Sequence, residues 1–478
     1  GYPFELEWIG GAMLDHCKRV LMHLPLYTAP GPGWFPYEYP PLYTWLCAWI
    51  MEWTGGPSFV PMRLVSILST IGCAWLLYAW CRRACGSTIW SIAAAGLFLA
   101  SYRFTGAFYD IERLDMLFLF LSFLGCYLLA RSLPAEPVSA SASPGTERSA
   151  GGESLWVVLA ALAFALAFLT KQQAILFTAA GAAALAWGRR WVSVSLFLAV
   201  SFFACAIPVW ALNSSSHGWF LYYCFRVPLS NGVHGELAYR FFEEDLPLFA
   251  PVIVLLGLSL WRSRMGNPSG GSSGAAPRQL GGQRPLIWLM TAAGLVGALI
   301  SRSHWGGYEN VLMTGYALLG LAAAVAAARL RLPGLLAPAY GLALAQLAAL
   351  AYRPGAQLPT RAGEAAGRQM RRQIAALSRA GPVLYLDHGD FTDPPRFQIM
   401  ALHDVAATEK RVPQSIETAL RLRCFAAIVS DAKPDPHDDW LSRYYQPERC
   451  LHLSTTWCVT GYMSPGPDRQ VWILKPKR

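Results

Sequence analysis

The stretch Phe108-Tyr-Asp-Ile-Glu-Arg-Leu-Asp-Met-Leu-Phe-Leu-Phe-Leu121 joins a group of ionisable residues directly to an uninterrupted apolar run. Asp115 lies where the run begins, at the boundary of a predicted membrane crossing, where a charged side chain is costly and therefore a functional candidate. Helical spacing would place Glu112 on the same face as Asp115 and Asp110 next to Arg113. A structural alternative is that Arg113 only neutralises an acidic helix N-terminus.

The whole chain has the composition of a polytopic membrane protein. Of its 478 residues, 54% are hydrophobic and 14% are charged, against about 25% charged residues in an average soluble domain. This excludes a cytosolic enzyme, a disordered protein and a small disulfide scaffold. Ten apolar runs have the length of a membrane crossing; they cover residues 64–81, 86–102, 114–130, 155–170, 172–188, 191–211, 246–261, 285–300, 311–328 and 332–352.

Arginines at alternate run boundaries predict the topology. They are Arg82/Arg83, Arg131, Arg189/Arg190, Arg262/Arg264 and Arg329/Arg331. The positive-inside rule makes these ends cytoplasmic, together with the linkers 133–153 and 265–284. We therefore attribute the net charge of +10 to basic residues that orient the helices in the membrane, and no nucleic-acid partner is predicted. We expect a further helix before Gly1, giving ten to eleven crossings, with Ser216, Ser303 and Asp468 outside and Arg190 and Gly270 inside.

The predicted fold is an all-α polytopic membrane domain over residues 1–352, with a long first outer loop (1–63), and a small outer α/β domain over residues 353–478. Helix and strand patterns alternate in the second unit. We predict helices at 362–379 and 414–422 and strands at 383–386, 424–430 and 471–475. Cys450 and Cys458 could pair with each other or with Cys424 in an oxidising compartment.

The first outer loop is long enough to carry function. Glu5 and Glu7 lie near its start, where partial desolvation and mutual repulsion would raise a carboxylate pKa toward the range of a general base. A solvated acidic loop is the alternative. The segment 35–45 is dense in aromatic residues and prolines, which also fits an amphipathic anchor in the headgroup layer.

Two further outer loops carry cations. Lys171 lies between two apolar runs on the predicted outer side, where it could bind a lipid phosphate or simply extend its ammonium to the interface. Arg302 and His304 lie in the last short loop beside the glycine pair 306–307, which permits a close backbone approach. Acids and cations are therefore expected to meet at one membrane face.

This arrangement resembles the GT-C glycosyltransferases, in the branch of the dolichyl-phosphate-mannose protein mannosyltransferases and the lipid A aminoarabinose transferase. The family has an acidic residue near the start of the first loop, a Pro-Pro-Leu segment at its end, an Arg-x-Asp, a Thr-Lys pair and a final loop with Asn. The matching residues are Glu5/Glu7, Tyr39-Pro-Pro-Leu-Tyr43, Arg113-Leu-Asp115, Thr170-Lys171 and Gly306-Gly-Tyr-Glu-Asn310. The first acid is commonly Asp in the family, and Glu38-Tyr39 replaces the Glu-Lys of the aminoarabinose branch.

The resemblance implies transfer of a sugar, with inversion, from a polyprenyl-phosphate donor to an acceptor hydroxyl on a glycan, lipid or protein. It implies a bacterial inner-membrane protein whose active site and C-terminal domain are periplasmic. The candidate residues are Glu5, Glu7, Asp110 and Asp115 for catalysis, Lys171, Arg302 and His304 for the donor phosphate, and Glu38, Tyr39, Arg113 and Asn310 in the substrate loops. No metal ligand set is identified, although the outer acids could hold a divalent ion.

Two alternative functions are a lipid or sugar transporter and a membrane-anchored scaffold. Transporters place ionisable residues near mid-membrane on broken helices, usually in internal repeats. Here the charged positions lie at run boundaries and the two halves differ. A scaffold would need only one or two crossings.

Overall fold

The computed structural model describes residues 1–133, 150–230, 232–264, 283–304, 306–330, 333–394, 399–433, 440–461 and 469–477. Each predicted apolar run contains a helix. These helices are α3 (Phe59–Cys85), α4 (Thr88–Ala100), α5 (Asp115–Ser132), α6 (Ala150–Phe168), α7 (Ile175–Trp187), α8 (Trp191–Ser215), α12 (Ala250–Arg264), α13 (Gln283–Arg302), α14 (Met313–Ala327) and α15 (Pro333–Ala349). Most of the predicted cytoplasmic linkers, and the positions Gly270 and Asp468, lie outside the described residues.

Five helical segments of the described chain are long and apolar enough to cross a membrane. They are Phe59–Cys85, Asp115–Ser132, Trp191–Ser215, Gln283–Arg302 and Glu309–Ala327. Others are shorter; α4 and α7 have 13 residues each, about 20 Å of helix against about 30 Å of hydrocarbon. The multi-pass architecture is therefore clear, while the count of ten to eleven crossings stays a prediction.

Arginines gather at the C-terminal end of α5. Arg83 Nε donates to the Ala130 carbonyl at 3.2 Å, and Arg190 Nη1 donates to the Ser132 carbonyl at 2.8 Å. The Arg131 guanidinium lies 4.3 Å from the centre of the Trp156 ring. Asp115 begins the same helix, so the acidic residue and the arginine group lie at opposite ends of α5.

The first loop contains two helices, α1 (Gly10–Leu21) and α2 (Leu42–Trp53). Trp45, Trp49 and Trp53 repeat every four residues on α2 and are 44%, 59% and 77% exposed. Such a stripe on one helical face fits the predicted interfacial anchor. The segment between α8 and α12 contains three short helices: α9 (Trp219–Leu221), α10 (Val227–Ser230) and α11 (Gly235–Arg240).

The C-terminal region forms a small mixed sheet with three helices. The helices are α16 (Arg361–Leu377), α17 (Ile399–Glu409) and α18 (Gln414–Arg421), and the strands are β1 (Val383–Tyr385), β2 (Ala427–Ser430), β3 (Tyr445–Leu453) and β4 (Arg469–Pro476). The sheet order is β1-β2-β4-β3; β1 and β2 are parallel, with Leu384 opposite Ile428, and the other pairs are antiparallel.

Three details of this region differ from the prediction. The second strand begins at Ala427 and not at residue 424, because α18 ends in a turn at residues 422–423 and residues 424–426 are irregular. The prediction missed β3, whose central residues are mostly exposed and therefore lack an apolar signal. It also missed α17.

The start of the chain packs into the core of the C-terminal region. Phe4 and Trp8 are buried with Met370, Tyr385 and Trp457. Val459 and Thr460 donate their backbone N–H groups to the Leu6 carbonyl at 2.8 and 3.1 Å. The first loop and the C-terminal region thus share one apolar core. All eleven cysteines are unpaired, so Cys424, Cys450 and Cys458 form no disulfide.

Candidate active site

The acidic stretch before α5 is not helical. The helix begins at Asp115, so the predicted sharing of a helical face by Glu112 and Asp115, and the pairing of Asp110 with Arg113, are wrong. Glu112 is completely buried and instead accepts hydrogen bonds from the Leu6 N–H and from Arg63 Nε, the latter at 2.7 Å. This carboxylate therefore holds the first loop against the helix bundle.

Asp115 is the centre of a buried polar cluster. Its Oδ1 atom accepts hydrogen bonds from Lys171 Nζ at 2.8 Å and from Asn310 Nδ2 at 3.0 Å. Its Oδ2 atom lies 3.6 Å from Arg113 Nε. Residues from the start of α5, the α6–α7 turn and the segment before α14 therefore meet at one carboxylate.

Glu7 reaches the same cluster from the first loop. Its Oε2 atom accepts a hydrogen bond from Arg113 Nη1 at 3.1 Å and another from the Ile9 N–H at 3.2 Å. Arg113 thus lies between two carboxylates, those of Glu7 and Asp115. We name Glu7, Arg113, Asp115, Lys171 and Asn310 the Asp115 cluster; it contains two acids and two cations.

Burial sets the electrostatics of the cluster. Glu7, Arg113 and Asp115 are 2–4% exposed, whereas the Lys171 side chain retains 14% exposure. Burial raises the pKa of Glu7 to about 7, and the neighbouring Arg113 charge opposes the rise. Glu7 is therefore poised to exchange a proton near neutral pH.

Two atoms of the cluster make no hydrogen bond to the described protein atoms, although they are buried. They are Arg113 Nε and Asp115 Oδ2. A donor and an acceptor of opposite charge thus lie 3.6 Å apart, too far for a direct hydrogen bond. Because buried polar atoms are normally hydrogen-bonded, this pair is suited to a hydroxyl group, which can accept from one and donate to the other.

The Pro-Pro-Leu segment docks against the turn that carries Lys171. The Leu42 N–H donates to the Leu169 carbonyl at 3.1 Å, and Gln172 Nε2 donates to the Glu38 carbonyl. The Tyr39 phenol lies within the electrostatic reach of Arg113 and Lys171. The Glu38 carboxyl interacts with Asp404. Burial, and after it the charge of Asp404, raises the pKa of Glu38 well above its ordinary value.

Glu5 belongs to a different set of contacts. Its Oε1 atom contacts His388 Nδ1, and its Oε2 atom accepts from the Gly11 N–H at 2.5 Å. His388 Nε2 lies 2.8 Å from Asp431 Oδ2. The two first-loop acids therefore diverge: Glu7 joins the Asp115 cluster, and Glu5 joins the C-terminal region.

Three other candidates also lie outside the Asp115 cluster. Asp110 accepts a hydrogen bond from Tyr102 Oη at 2.9 Å. Arg302 is held by Asp245, with Nε to Oδ2 at 2.8 Å, and donates to the Gly307 carbonyl at 2.7 Å. His304 Nδ1 contacts the Gly232 carbonyl at 3.1 Å.

Sequence reasoning missed a second group of ion pairs at the junction with the C-terminal region. Lys18 contacts Asp15 at 2.9 Å and Asp390 at 2.5 Å, and Arg371 contacts Asp390 at 2.8 Å. The three-residue spacing of Asp15 and Lys18 on α1 was a local signal for their pair. Nothing local predicted the contacts of Lys18 with Asp390 and of Glu5 with His388, because these partners are 372 and 383 positions apart.

The chain is similar to a known protein family and to two solved structures. A family model described as dolichyl-phosphate-mannose-protein mannosyltransferase matches residues 38–142, and a search of curated protein sequences gives no match. Two solved structures of ArnT from Cupriavidus metallidurans, one bound to undecaprenyl phosphate and one in the apo state, superpose with TM-scores of 0.56 and 0.57 at 14% identity. Each alignment covers 99% of this chain and 94% of ArnT.

An oligosaccharyltransferase from Archaeoglobus fulgidus is less similar. Its TM-score is 0.46 at 12% identity, over 90% of this chain and 66% of that protein. The ArnT alignments span nearly the whole chain, including the helices that bring the Asp115 cluster together. The chain therefore has the fold of ArnT, and residues 38–142 match the protein mannosyltransferase model, so the predicted resemblance to this branch of the GT-C glycosyltransferases is confirmed.

Proposed function

We propose that this protein is a membrane glycosyltransferase that moves a sugar from a polyprenyl-phosphate carrier to an acceptor hydroxyl. The observation that carries the proposal is the Asp115 cluster, which places a carboxyl with a pKa of about 7 near a lysine that retains partial exposure. The ArnT fold supports the same reading, since one of the matching ArnT structures holds undecaprenyl phosphate.

Glu7 acts as the general base in this proposal. It takes the proton from the acceptor hydroxyl while the acceptor oxygen attacks the anomeric carbon from the face opposite the phosphate. The bond between the anomeric carbon and the phosphate oxygen breaks, and its electron pair stays on the phosphate. Because the new bond forms on the face opposite the bond that breaks, the configuration at the anomeric carbon inverts.

Lys171 stabilises the departing lipid phosphate. It is the more exposed of the two cations in the cluster, and a compact ammonium suits a phosphate oxygen. Its contact with Asp115 at 2.8 Å fixes the ammonium before the donor arrives. Asn310 donates to the same Asp115 oxygen and so helps to hold that carboxylate in place.

Arg113 and Asp115 position the reactants. Arg113 holds the Glu7 carboxylate through Nη1, while its Nε atom and Asp115 Oδ2 remain available for a sugar hydroxyl. Glu5, Asp110, Arg302 and His304 have other partners and support the surrounding loops. Glu38 and Tyr39 belong to the segment that packs against the Lys171 turn.

The proposed orientation places the Asp115 cluster and the C-terminal domain (353–478) on the periplasmic side of a bacterial inner membrane. The arginine group at the far end of α5 would then be cytoplasmic, as the positive-inside rule requires. Cysteine substitutions at Ser216 and Arg190 test the orientation with an impermeant reagent in intact cells. Labelling at position 190 without labelling at 216 would reverse it.

A transporter is less well supported. Asp115 begins α5, Lys171 lies between α6 and α7, and Asn310 precedes α14. These polar residues are at helix ends, whereas transporter sites usually lie where helices are broken near mid-membrane.

Mass spectrometry of cell-envelope glycans, glycolipids and glycoproteins from cells with and without the gene would test the activity. We expect one glycoform to disappear and to return with the wild-type gene but not with Glu7→Gln. Native mass spectrometry of the purified protein with undecaprenyl phosphate tests donor recognition. An unchanged glycoform profile together with no lipid-phosphate binding would reject the proposal.

A further inference from the structure

Three metal-binding residue types meet where the first loop touches the C-terminal region. They are Glu5 from the first loop, His388 from the segment after β1, and Cys458 from the segment before β4. One oxygen, one nitrogen and one sulfur atom from these residues lie within 4.8 Å of one another. All three residues are at most 3% exposed.

We propose that Glu5, His388 and Cys458 form a zinc site that joins the first loop to the C-terminal region. Oxygen, imidazole nitrogen and thiolate are the ligands of protein zinc sites, with bond lengths of about 2.0–2.3 Å. Tetrahedral bonds of that length separate the ligand atoms by about 3.3–3.8 Å. Glu5 Oε1 and His388 Nδ1, which are in direct contact, therefore need to move apart by about 1 Å to admit the ion, while the atoms that are farthest apart, at up to 4.8 Å, need to approach by about 1–1.5 Å.

The ligands are oriented as metal ligands usually are. His388 Nδ1 faces Glu5, and its other nitrogen, Nε2, lies 2.8 Å from Asp431 Oδ2 and 2.7 Å from Arg469 Nη2. A carboxylate behind a ligating imidazole is a common partner, because it fixes the ring and raises ligand basicity. The Glu5 carboxylate is likewise fixed, by the Gly11 N–H at 2.5 Å and by Trp457 Nε1 at 3.3 Å.

The charges around these ligands also favour a cation. Glu5, Asp431 and Asp387 provide three carboxylates around His388, whereas Arg469 provides one fixed positive charge. The Cys458 thiol also lies within electrostatic reach of the Glu5, Glu7 and Glu112 carboxylates. A divalent ion would replace the proton between Glu5 and His388 and offset the excess of negative charge.

This set is the one group of three or more such ligands found among the residues that the structure describes. It is separate from the Asp115 cluster, because Glu5 and Glu7 point to different partners. The zinc would act as a structural link: it would hold the first loop so that Glu7, two residues further along, reaches Arg113. The proposal does not depend on the reaction that the Asp115 cluster catalyses.

The test uses the full-length protein in detergent, with affinity tags removed. The protein is stripped with a chelator, reloaded with Zn²⁺, desalted and analysed for bound metal. We expect one zinc per chain, and at least a tenfold weaker affinity in Cys458→Ser and in Asp431→Asn. Cys450→Ser is the matched control, because Cys450 lies outside the site; it should bind zinc like the wild type.

Cobalt substitution gives a second measurement, which remains informative in the wild-type protein even if a variant folds poorly. Co²⁺ bound to the wild type should show the near-ultraviolet charge-transfer band of a cobalt–thiolate bond. The band should persist in Cys450→Ser and disappear in Cys458→Ser. Wild-type protein without stoichiometric zinc, or a cobalt band that is missing in the wild type or unaffected by Cys458→Ser, would overturn the proposal and leave a Glu5–His388 ion pair only.

Discussion

Replacement of Glu7 by Gln should separate activity from stability. The change keeps the size of the side chain and removes its ability to take a proton. Arg113 keeps Asp115 as a partner, with Nε and Oδ2 3.6 Å apart. We therefore expect a folded protein that binds the lipid donor, with turnover reduced by about 10²- to 10⁴-fold, the usual contribution of a general base.

The effect of Glu7→Gln on stability depends on pH in a defined direction. Burial raises the pKa of Glu7 to about 7, above its value in the unfolded chain, so folding favours the protonated form. The contribution of that form is fully present below about pH 4.5 and is lost as pH rises through about 7. A pKa shift of this size corresponds to about 3 kcal/mol of folding stability that the wild type loses at high pH. Gln stays neutral, so the variant avoids that loss.

Equilibrium unfolding and turnover should therefore be measured from pH 5 to 8.5. Near pH 5 the variant and the wild type should unfold at similar free energies, and at pH 8 the variant should be more stable by up to about 3 kcal/mol. Wild-type turnover should rise with pH and level off above about 7. Glu448→Gln, the same change at an exposed residue, is the control. Near wild-type turnover in Glu7→Gln would refute the reasoning, as would marked destabilisation at pH 8.

Three further changes have expected outcomes. Lys171→Met should weaken undecaprenyl phosphate binding at least tenfold in a native mass spectrometry titration, because it removes the ammonium and keeps the stem; an unchanged Kd would exclude a phosphate role. Asp115→Asn should lower the free energy of unfolding by about 3–5 kcal/mol, since it leaves Lys171 and Arg113 short of a counter-charge, and adding Lys171→Met should recover part of the loss; additive losses would contradict the pairing. Gly389→Ala should cost about 1–3 kcal/mol, because its Cβ would lie 2.2 Å from the Ala12 nitrogen; an unfolding midpoint equal to wild type would count against this close packing.

The sequence predicted the helices well because each of them carries its own signal. An apolar run of about 20 residues must satisfy its backbone hydrogen bonds within itself in lipid, and only a helix does so locally. All ten runs contain helices. The failures lie where the local signal was weak, as in β3, or misread, as in residues 108–114, which helical spacing wrongly placed on α5.

The candidate site was predicted only as a set of residues. The sequence picked out Arg113, Asp115 and Lys171 from their charges near run boundaries, Glu7 (with Glu5) as an acid of the first loop, and Asn310 from the family resemblance. The structure brings these residues together, except Glu5. The sequence also grouped Arg302 and His304 with them, but the structure gives those residues other partners. A run boundary fixes the height of a residue along the membrane normal and says nothing about its lateral position.

The sequence by itself therefore determined that the protein lies in a membrane, where its helices are, and at which end of the bundle its polar residues gather. These features can be read from the hydropathy and charge of a few neighbouring residues. The tertiary structure alone decided that Glu7 faces Arg113 while Glu5 faces His388, 383 positions away. Two acids separated by one residue have almost the same local environment in the sequence. Their burial by different partners, which only the folded chain brings near, gives them different roles.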